Sequence, residues 1–295
     1  MANPKITRSD IAAHVEMGKL SGGYFSDPDI AQAFIDIAVK EIVPALGGHV
    51  NYGSFGGGEG YLTKRVADFI GSGGRGVSTL IVDANPDYLA KAAKMGLAAI
   101  CADLSEIALS GFDLITMRSV NHYNAMSVQQ QIVDAASSAL SEGGWLISQN
   151  LSGPSEAYCR LASQLSKFTE LGRIEVDRGE PHIASGEEFI DLMECAGFEE
   201  IRIAGYAPSI QIGPDWYWER FNYQLRKTAV EAGDAAGVRS IDERRRVYFE
   251  EANEAIAAFL ENASEAEAAP IDWTEHAFTL DLSFPVFVGR KRPAG

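Results

Sequence analysis

The sequence predicts an α/β protein built on a doubly wound, mostly parallel sheet, and three observations lead to this prediction. From residue 49 onward, short apolar runs alternate with helical segments, which is typical of parallel strands covered by helices on both faces. Later in the chain, AFTLDLSFPVFVGRK alternates strictly, which is typical of an antiparallel strand near a sheet edge. Before that strand, two long helical patterns indicate a helical insertion.

The predicted elements follow one another in a regular order. A helical pattern with Phe34, Ile37 and Ile42 on its apolar side precedes the first strand. The strands and helices after it are HVNYGSF, YLTKRVADFIG, STLIVDA, PDYLAKAAKMG, AAICAD, FDLITMRSV, SVQQQIVDAASSALSEGG, GWLISQN and GEEFIDLMECAGFEEIRIAGYA. We therefore place the sheet domain at residues 1–205 plus 277–295, and the helical insertion at 206–276.

The composition argues against several classes of partner. A formal net charge of −16 repels nucleic acids, whose binding depends on phosphate neutralisation by Lys and Arg. No run of about 18 apolar residues is present to span a membrane, and no signal peptide is evident, so export is not expected. Three widely spaced cysteines fit a reducing, cytoplasmic compartment. His182 and His276 are isolated from a second ligand, so no metal site is predicted.

The stretch VNYGSFGGGEGYLT has four glycines in five positions, Gly56 to Gly60, between an apolar strand and a helix. A tight turn alone would use glycine, and so would a turn whose backbone lies against a ligand. Two acidic residues favour the ligand. Asp83 ends the next strand, where a carboxylate accepts hydrogen bonds from ribose hydroxyls, and Asp103 ends the strand after it.

These motifs, in this order, resemble those of class I S-adenosylmethionine-dependent methyltransferases over residues 24–205 and 277–291. The resemblance implies a Rossmann-like, seven-stranded sheet with an antiparallel last strand. It also implies S-adenosyl-L-methionine as cofactor and S-adenosylhomocysteine as product. The cofactor contacts that we predict from it are Gly56, Gly58 and Gly60 at the methionine part, Asp83 at the ribose, Asp103 and Leu104 at the adenine, Arg118 at the end of the fourth strand, and Tyr24 as a lid residue. Alternatively, Tyr24 only packs the first helix against the core.

One position departs from the family pattern. The family usually has Asp or Glu two residues before the first glycine, where it helps to hold the cofactor's ammonium group, and this chain has Ser54. A hydroxyl accepts a hydrogen bond without carrying charge, which lowers the expected affinity by about 1 kcal/mol or more. Either Ser54 binds the cofactor with help from another group, or the role of the cofactor is altered.

The richest polar cluster near the expected cofactor follows the fourth strand. We predict Asn121, His122 and Tyr123 as the catalytic residues, because an imidazole is a common general base for a hydroxyl or amine. The alternative is a histidine packed at a helix start, since methyl transfer between well-positioned groups requires no base. Gln149 and Asn150 end the fifth strand and are predicted substrate contacts, or else ordinary loop residues.

The insertion carries a dense group of aromatic side chains: Trp216, Tyr217, Trp218, Phe221 and Tyr223. Such a group either docks a helix or lines an apolar pocket. In the second case, Trp216 and Tyr217 contact a substrate with an aromatic or apolar portion. Caps of this kind commonly form dimer contacts in the family, so a homodimer is expected.

The predicted function is therefore methylation of a small molecule at oxygen or nitrogen, by direct displacement from S-adenosylmethionine. A first alternative keeps the fold but catalyses another reaction, such as cyclisation or rearrangement, and Ser54 motivates it. A second is a non-catalytic binding or dimerisation protein on the same scaffold. Glycine spacing and the antiparallel last strand disfavour a nicotinamide-dependent enzyme, and motifs of hydrolases and P-loop kinases are missing.

Overall fold

A central mixed sheet organises the computed structural model, which describes residues 32–167, 182–213, 226–227, 229–274 and 277–293. Within these residues the strands are β1 (His49–Phe55), β2 (Gly76–Asp83), β3 (Ala98–Cys101), β4 (Phe112–Arg118), β5 (Leu140–Gln149), β6 (Phe198–Ile212), β7 (Ile271–Thr274) and β8 (Ala277–Lys291). They lie in the order β3-β2-β1-β4-β5-β8-β6, and β7 pairs with the first residues of β8. β1 to β5 are parallel, whereas β8 is antiparallel to β5 and β6. The predicted fold class is confirmed.

Helices connect these strands. Among the described residues they include α1 (32–45, with a π-helical turn at Ile35–Val39 and a 3-10 end at Val43–Ala45), α2 (Tyr61–Ser72), α3 (Pro86–Lys94), α4 (Met126–Ala139), α5 (Glu156–Lys167), α6 (Gly186–Cys195), α7 (Ala235–Leu260) and α8 (Glu265–Ala268). The Asn85 side chain caps α3 by accepting from the Asp87 N–H, with Pro86 at the first helical position. No described helix combines the length and the apolarity that a membrane crossing requires.

Helices cover both faces of the sheet, each over its own apolar core. On one face, α1 and α2 cover a core that contains Leu114 of β4 and Ile147 of β5. On the other, α4 and α6 cover a core that contains Ile115 and Leu146. Successive residues of a strand point to opposite faces, so these strands carry continuous apolar runs. The doubly wound arrangement follows from that pattern.

The strand order reverses between β1 and β4, so the carboxyl ends of these two strands form a topological switch point at one edge of the sheet. The two strands are parallel and end together, with Phe55 beside Met117. The glycine turn follows β1 at this edge, and the polar segment 119–124 follows β4. Ligands of open α/β sheets bind outside the carboxyl ends of the strands at such a switch point. The fold therefore brings to one edge those predicted cofactor and reaction residues that the structure describes.

An extension of β6 and β8 continues beyond this edge. The ladder between β5 and β8 begins after Pro285, and the earlier residues of β8 pair with β6 as far as Ile212. The isolated bridge between Ser152 and Ser283 lies on the far side of Pro285. A proline cannot donate to a continuous ladder, so this interruption lets β8 accommodate Pro285 one strand in from the sheet edge.

The sheet contains more strand than the sequence predicted. The resemblance implied seven strands, whereas β7 (Ile271–Thr274) adds an eighth inside the segment predicted to be a helical insertion. β6 also continues to Ile212, past the predicted start of that insertion at residue 206. Both differences have one cause: β8 is 15 residues long, and its first half needs backbone partners beyond the end of β5. The second predicted insertion helix is present as α7, while most of the first lies outside the described residues.

Tyr158 links α5 to the extension of β8, and its removal provides a stability test. Its buried hydroxyl donates to the carbonyl oxygens of Asp281 at 2.9 Å and Pro270 at 3.3 Å. We expect Tyr158→Phe to lower the free energy of unfolding by about 1–2 kcal/mol in urea denaturation, because the Asp281 carbonyl loses the hydroxyl donor. The Pro270 carbonyl keeps the Asp281 N–H at 2.9 Å. Tyr61→Phe, at an exposed position, is the matched control and should change it by less than about 0.5 kcal/mol. Equal effects of the two substitutions would contradict the prediction.

Candidate functional site

The turn between β1 and α2 has a conformation that glycine adopts without strain. Gly56, Gly58 and Gly60 have φ angles of 67°, 55° and 87°, in the left-handed region that most side chains avoid. A Cβ on Gly56 would lie 2.2 Å from Val120 Cγ2, so this part of the turn packs against the segment after β4. A Cβ on Gly58 would meet no atom of the described residues within 4 Å. Gly58 is therefore where the backbone of the turn faces space that a ligand can occupy.

Asp83, at the end of β2, is tied to this turn. The Gly58 N–H donates to Asp83 Oδ2 at 2.9 Å, and the Asn85 N–H donates to Asp83 Oδ1 at 2.9 Å. Each carboxylate oxygen thus has one backbone donor, which fixes its orientation and leaves further acceptor capacity. A carboxylate oriented in this way can accept hydrogen bonds from neighbouring hydroxyls such as those of a ribose.

Asp103 follows β3 at the same edge of the sheet. Its Oδ1 accepts from the Ser105 N–H at 3.0 Å and from Ser105 Oγ at 2.8 Å, so its own loop orients the carboxylate. The Leu104 side chain is buried in the core below α4, which leaves its backbone as the part that can contact a ligand. Asp83 and Asp103 are therefore oriented carboxylates at the ends of neighbouring strands.

Ser54 is enclosed in a group of buried hydroxyls at the end of β1. Thr63 Oγ1 donates to Ser54 Oγ at 2.8 Å, and the hydroxyl oxygens of Tyr52 and Thr116 are 2.7 Å apart. Ser54 is 4% exposed, and a Cβ on Gly57 would lie 2.7 Å from its Oγ. At the position where the family pattern has a carboxylate, this chain has a hydroxyl that the fold itself satisfies.

The burial of Tyr52 predicts a loss of stability at alkaline pH. Burial raises the pKa of Tyr52 to about 12, although hydrogen bonds with Thr116, Ser54 and Thr63 oppose the rise. The folded chain therefore keeps this proton when the unfolded chain, with a tyrosine pKa of about 10, releases it, and stability falls as the pH rises from 10 toward 12.

Urea unfolding of the wild type and Tyr52→Phe tests this expectation, because the phenylalanine variant has no proton to release. Between about pH 9 and 11, the wild type should lose about 1.3 kcal/mol more than the variant in the free energy of unfolding. An equal loss in both proteins would contradict it.

The segment after β4 is shaped by a strained residue and by the end of β5. Ser119 has a φ of 56°, uncommon for a residue other than glycine, and its N–H donates to the Gln149 carbonyl at 2.8 Å. The Asn121 N–H donates to Asn150 Oδ1 at 3.3 Å, and Asn150 Nδ2 donates to Ser148 Oγ at 3.0 Å. The amide of Asn150, predicted as a substrate contact, thus connects the end of β5 to the segment after β4.

His122 lies in the 3-10 turn Asn121–Tyr123, 4% exposed, with its ring centroid 4.2 Å from that of Tyr123. The Leu151 N–H donates to His122 Nδ1 at 3.5 Å. This contact favours the neutral tautomer that carries its proton on Nε2. The geometry therefore fits hydrogen-bond donation by His122 Nε2 better than proton abstraction at that atom.

Two other amides at this edge are buried, with no hydrogen-bond partner in the part of the chain that the structure describes. Asn121 is 1% exposed and Gln149 is 0% exposed, and in each the side-chain oxygen and nitrogen are both unsatisfied. Gln149 pairs with Arg118 in the register of β4 and β5, so their side chains lie on the same face of the sheet. Buried amides are normally hydrogen-bonded, so the lack of hydrogen bonds to these two amides makes them candidates for a functional role.

Two residues of the site were missing from the sequence prediction. Asn85 orients Asp83 through its N–H, and Thr63 holds Ser54. The Asn-Pro pair after β2 is a signal that could have identified Asn85, because it combines an N-cap residue with proline at the first helical position. No local signal identifies Thr63, whose partner lies across the glycine turn.

Three predicted site residues, Tyr24, Trp216 and Tyr217, lie outside the described residues. The other predicted residues flank the carboxyl ends of β1 to β5. Within the described part of the chain, no group of three or more potential metal ligands occurs. His182 there contacts Glu188 at 3.2 Å, and His276 is outside that part.

Comparison with known proteins identifies the fold. No protein-family model matches the sequence, and no curated protein does. The structure is similar to that of YcgJ from Bacillus subtilis, with a TM-score of 0.59 and 12% identity, covering 89% of this chain and 100% of that one. It is also similar to BH2331 from Bacillus halodurans, provisionally named a methyltransferase, with a TM-score of 0.56 and 16% identity, covering 87% of this chain and 99% of that one. At these identities the similarity shows the fold alone.

Proposed function

Because this chain has the fold of the class I methyltransferases, we propose that it methylates a small molecule at oxygen or nitrogen, with S-adenosyl-L-methionine as methyl donor. The observation that supports this most is the 2.9 Å hydrogen bond from the Gly58 N–H to Asp83. It joins the glycine turn and the ribose carboxylate of the family pattern into one preformed cradle. A glycine turn that served only to reverse the chain would need no such link.

The described residues fit this cofactor at three points. Asp83 keeps acceptor capacity for ribose hydroxyls beyond its two backbone donors. Asp103 lies beside it at the end of β3, where it would accept from the adenine amino group. Gly58 leaves room against the turn for the methionine part. When bound, S-adenosylmethionine supplies a methyl group on a sulfonium sulfur, and S-adenosylhomocysteine is the product.

The segment after β4 would hold the substrate. His122 would donate a hydrogen bond from Nε2 to a substrate oxygen and so orient its lone pair. Asn121 and Gln149, both buried, would exclude water and fix the substrate in place. Positioning alone accounts for a large part of the rate of an intermolecular displacement, because it replaces the entropy of bringing two reactants together.

A small substrate fits the charge of the chain better than a nucleic acid. The net charge of −16 opposes the approach of a polyanion. The aromatic residues of the insertion, Trp216 and Tyr217 among them, would supply apolar contacts for a substrate with a flat or apolar portion. We also propose that the protein is cytoplasmic. We further propose that it forms a homodimer through the insertion. Light scattering of the wild type and of a Trp216→Ala, Trp218→Ala variant would test the homodimer.

Incubation with methyl-labelled S-adenosylmethionine tests the proposed reaction. The wild type should transfer label to at least one member of a panel of small hydroxyl and amine compounds and release one S-adenosylhomocysteine per methyl group. Asp83→Ala serves as the control that lacks the ribose contact. Cofactor binding with no transfer of label to any member would contradict methyl transfer.

The enclosed Ser54 hydroxyl favours a second candidate, a reaction such as cyclisation or rearrangement on the same fold. Ser54 carries no charge and already has a partner in Thr63, so a carboxylate contact to the cofactor's ammonium is missing at this position. A bound cofactor that acts without transferring its methyl group would tolerate this loss. Conversion of a substrate without transfer of label would favour this candidate over methylation.

A further inference from the structure

We infer that the amides of Asn121 and Gln149 recognise the substrate, and that the substrate presents to them an uncharged group with both donor and acceptor atoms, such as a carboxamide or lactam. This inference rests on the proposed function, because it assigns a chemical class to the substrate of that same site. It is carried by the burial of the two amides and by the absence, among the described residues, of any partner for their four polar atoms.

The two amides belong to chain segments that are held together. Ser119 N–H bonds to the Gln149 carbonyl at 2.8 Å, and the Asn121 N–H bonds to Asn150 Oδ1 at 3.3 Å. These bonds fix the backbones of Asn121 and Gln149 at adjacent strand ends, at the edge where the sheet binds ligands. Their side chains are therefore presented by a rigid frame.

Neighbouring amides show that the fold can provide hydrogen-bond partners for an amide in this region. The amide of Asn150, next to Gln149 in sequence, uses its oxygen for the Asn121 N–H and its nitrogen for Ser148 Oγ. The side-chain nitrogen of Gln129, also fully buried, donates to the carbonyls of Asn124 and His182, while its oxygen has no partner among the described residues. Leaving both atoms of Asn121 and of Gln149 unsatisfied is destabilising, which is expected where a ligand completes the hydrogen bonds.

The chemistry of a carboxamide selects the class of ligand. Each amide offers one acceptor oxygen and two N–H donors. A carboxylate on the substrate would leave the amide oxygens facing an anion, and an ammonium would leave the N–H groups facing a cation. A neutral group with a carbonyl and an N–H satisfies both kinds of atom. Arg118, on the same face as Gln149, has an interaction of its own.

Thermal unfolding without ligand tests the first half of the inference. Asn121→Leu and Gln149→Met replace an unsatisfied amide with an apolar group of similar size, so each should raise the unfolding temperature by roughly 2–4 °C. Asn150→Leu is the matched control, because it removes an amide whose two atoms are bonded, and it should lower that temperature. Lower unfolding temperatures for all three variants would show that the amides have partners in the folded chain and would overturn the inference.

Titration with three planar, isosteric probes tests the second half: benzamide, benzoate and benzamidinium. The wild-type chain, with and without S-adenosylhomocysteine, should bind benzamide at least about tenfold more tightly than the two ions. Each amide variant should bind benzamide at least about tenfold more weakly than the wild type, a loss of about 1.4 kcal/mol. The inference would be overturned if the wild type bound benzoate as tightly as benzamide, or did not bind benzamide at all. It would also be overturned if the variants kept the affinity of the wild type for benzamide, or if benzamide competed with S-adenosylhomocysteine. A failure of the proposed function would appear separately, as absent S-adenosylhomocysteine binding.

Discussion

Replacing Asp83 with alanine should lower the affinity for S-adenosylhomocysteine by at least about 100-fold. Hydrogen bonds to a charged group contribute about 1.5–3 kcal/mol each, so the loss of two ribose contacts removes about 3 kcal/mol or more. The substitution also releases the Gly58 N–H, which Asp83 now fixes at 2.9 Å. Equilibrium dialysis with labelled S-adenosylhomocysteine measures the change.

Two further variants separate the role of Asp83 from a general effect of charge. Asp87→Ala removes a carboxylate from an exposed position at the start of α3, four residues away, and should leave the affinity within about threefold. Asp83→Asn keeps the shape and one acceptor oxygen, and should fall between the wild type and Asp83→Ala. Equal affinity in Asp83→Ala and the wild type would remove the ribose contact from the proposal.

Replacing Gly56 with alanine should lower the free energy of unfolding by about 3 kcal/mol. An L residue in the left-handed region is destabilised by about 1–2 kcal/mol, and overpacking adds about 1–3 kcal/mol. Both effects apply to Gly56, whose φ is 67° and whose added Cβ would lie 2.2 Å from Val120 Cγ2. Val120 is β-branched and cannot rotate away freely. Urea denaturation measures the loss.

A matched glycine distinguishes these two causes. Gly74 has a φ of 76°, and a Cβ there would meet nothing within 4 Å, so Gly74→Ala reports the backbone effect alone. Combining Gly56→Ala with Val120→Ala should recover the part that is due to the clash, as a favourable coupling energy of about 1–2 kcal/mol. Equal losses in Gly56→Ala and Gly74→Ala, with no coupling to Val120, would show that the turn does not pack against the segment after β4.

The sequence could predict the part of the fold that is encoded locally. The glycines of the turn and Asp83 occupy fixed places relative to strand ends, and strand ends can be predicted from apolar runs. The structure accordingly places Gly58 against Asp83. The extra strand β7 could not be predicted in this way, because it exists only to pair with residues of β8. Pairing between strands depends on partners that no single segment specifies.

The polar residues at the end of β5 show the same limit at the scale of one side chain. In the sequence, Gln149 and Asn150 are adjacent amides, and nothing there indicates which of the two contacts a ligand. In the structure, Asn150 is hydrogen-bonded to Asn121 and Ser148, while the amide of Gln149 has no hydrogen-bond partner among the described residues. The difference comes from which face each side chain occupies and from which strands lie beside it. Likewise, the sequence shows that Ser54 departs from the family pattern, but it does not show the hydrogen bond from Thr63 to Ser54.

Titration calorimetry of the wild-type chain with S-adenosylhomocysteine is the most direct test of the central claim, that the edge formed by the glycine turn, Asp83 and Asp103 is a cofactor site. The account predicts saturable binding of one molecule per chain, lost in Asp83→Ala while Asp87→Ala still binds. No detectable heat of binding by a folded wild-type chain, or equal binding by Asp83→Ala, would contradict it.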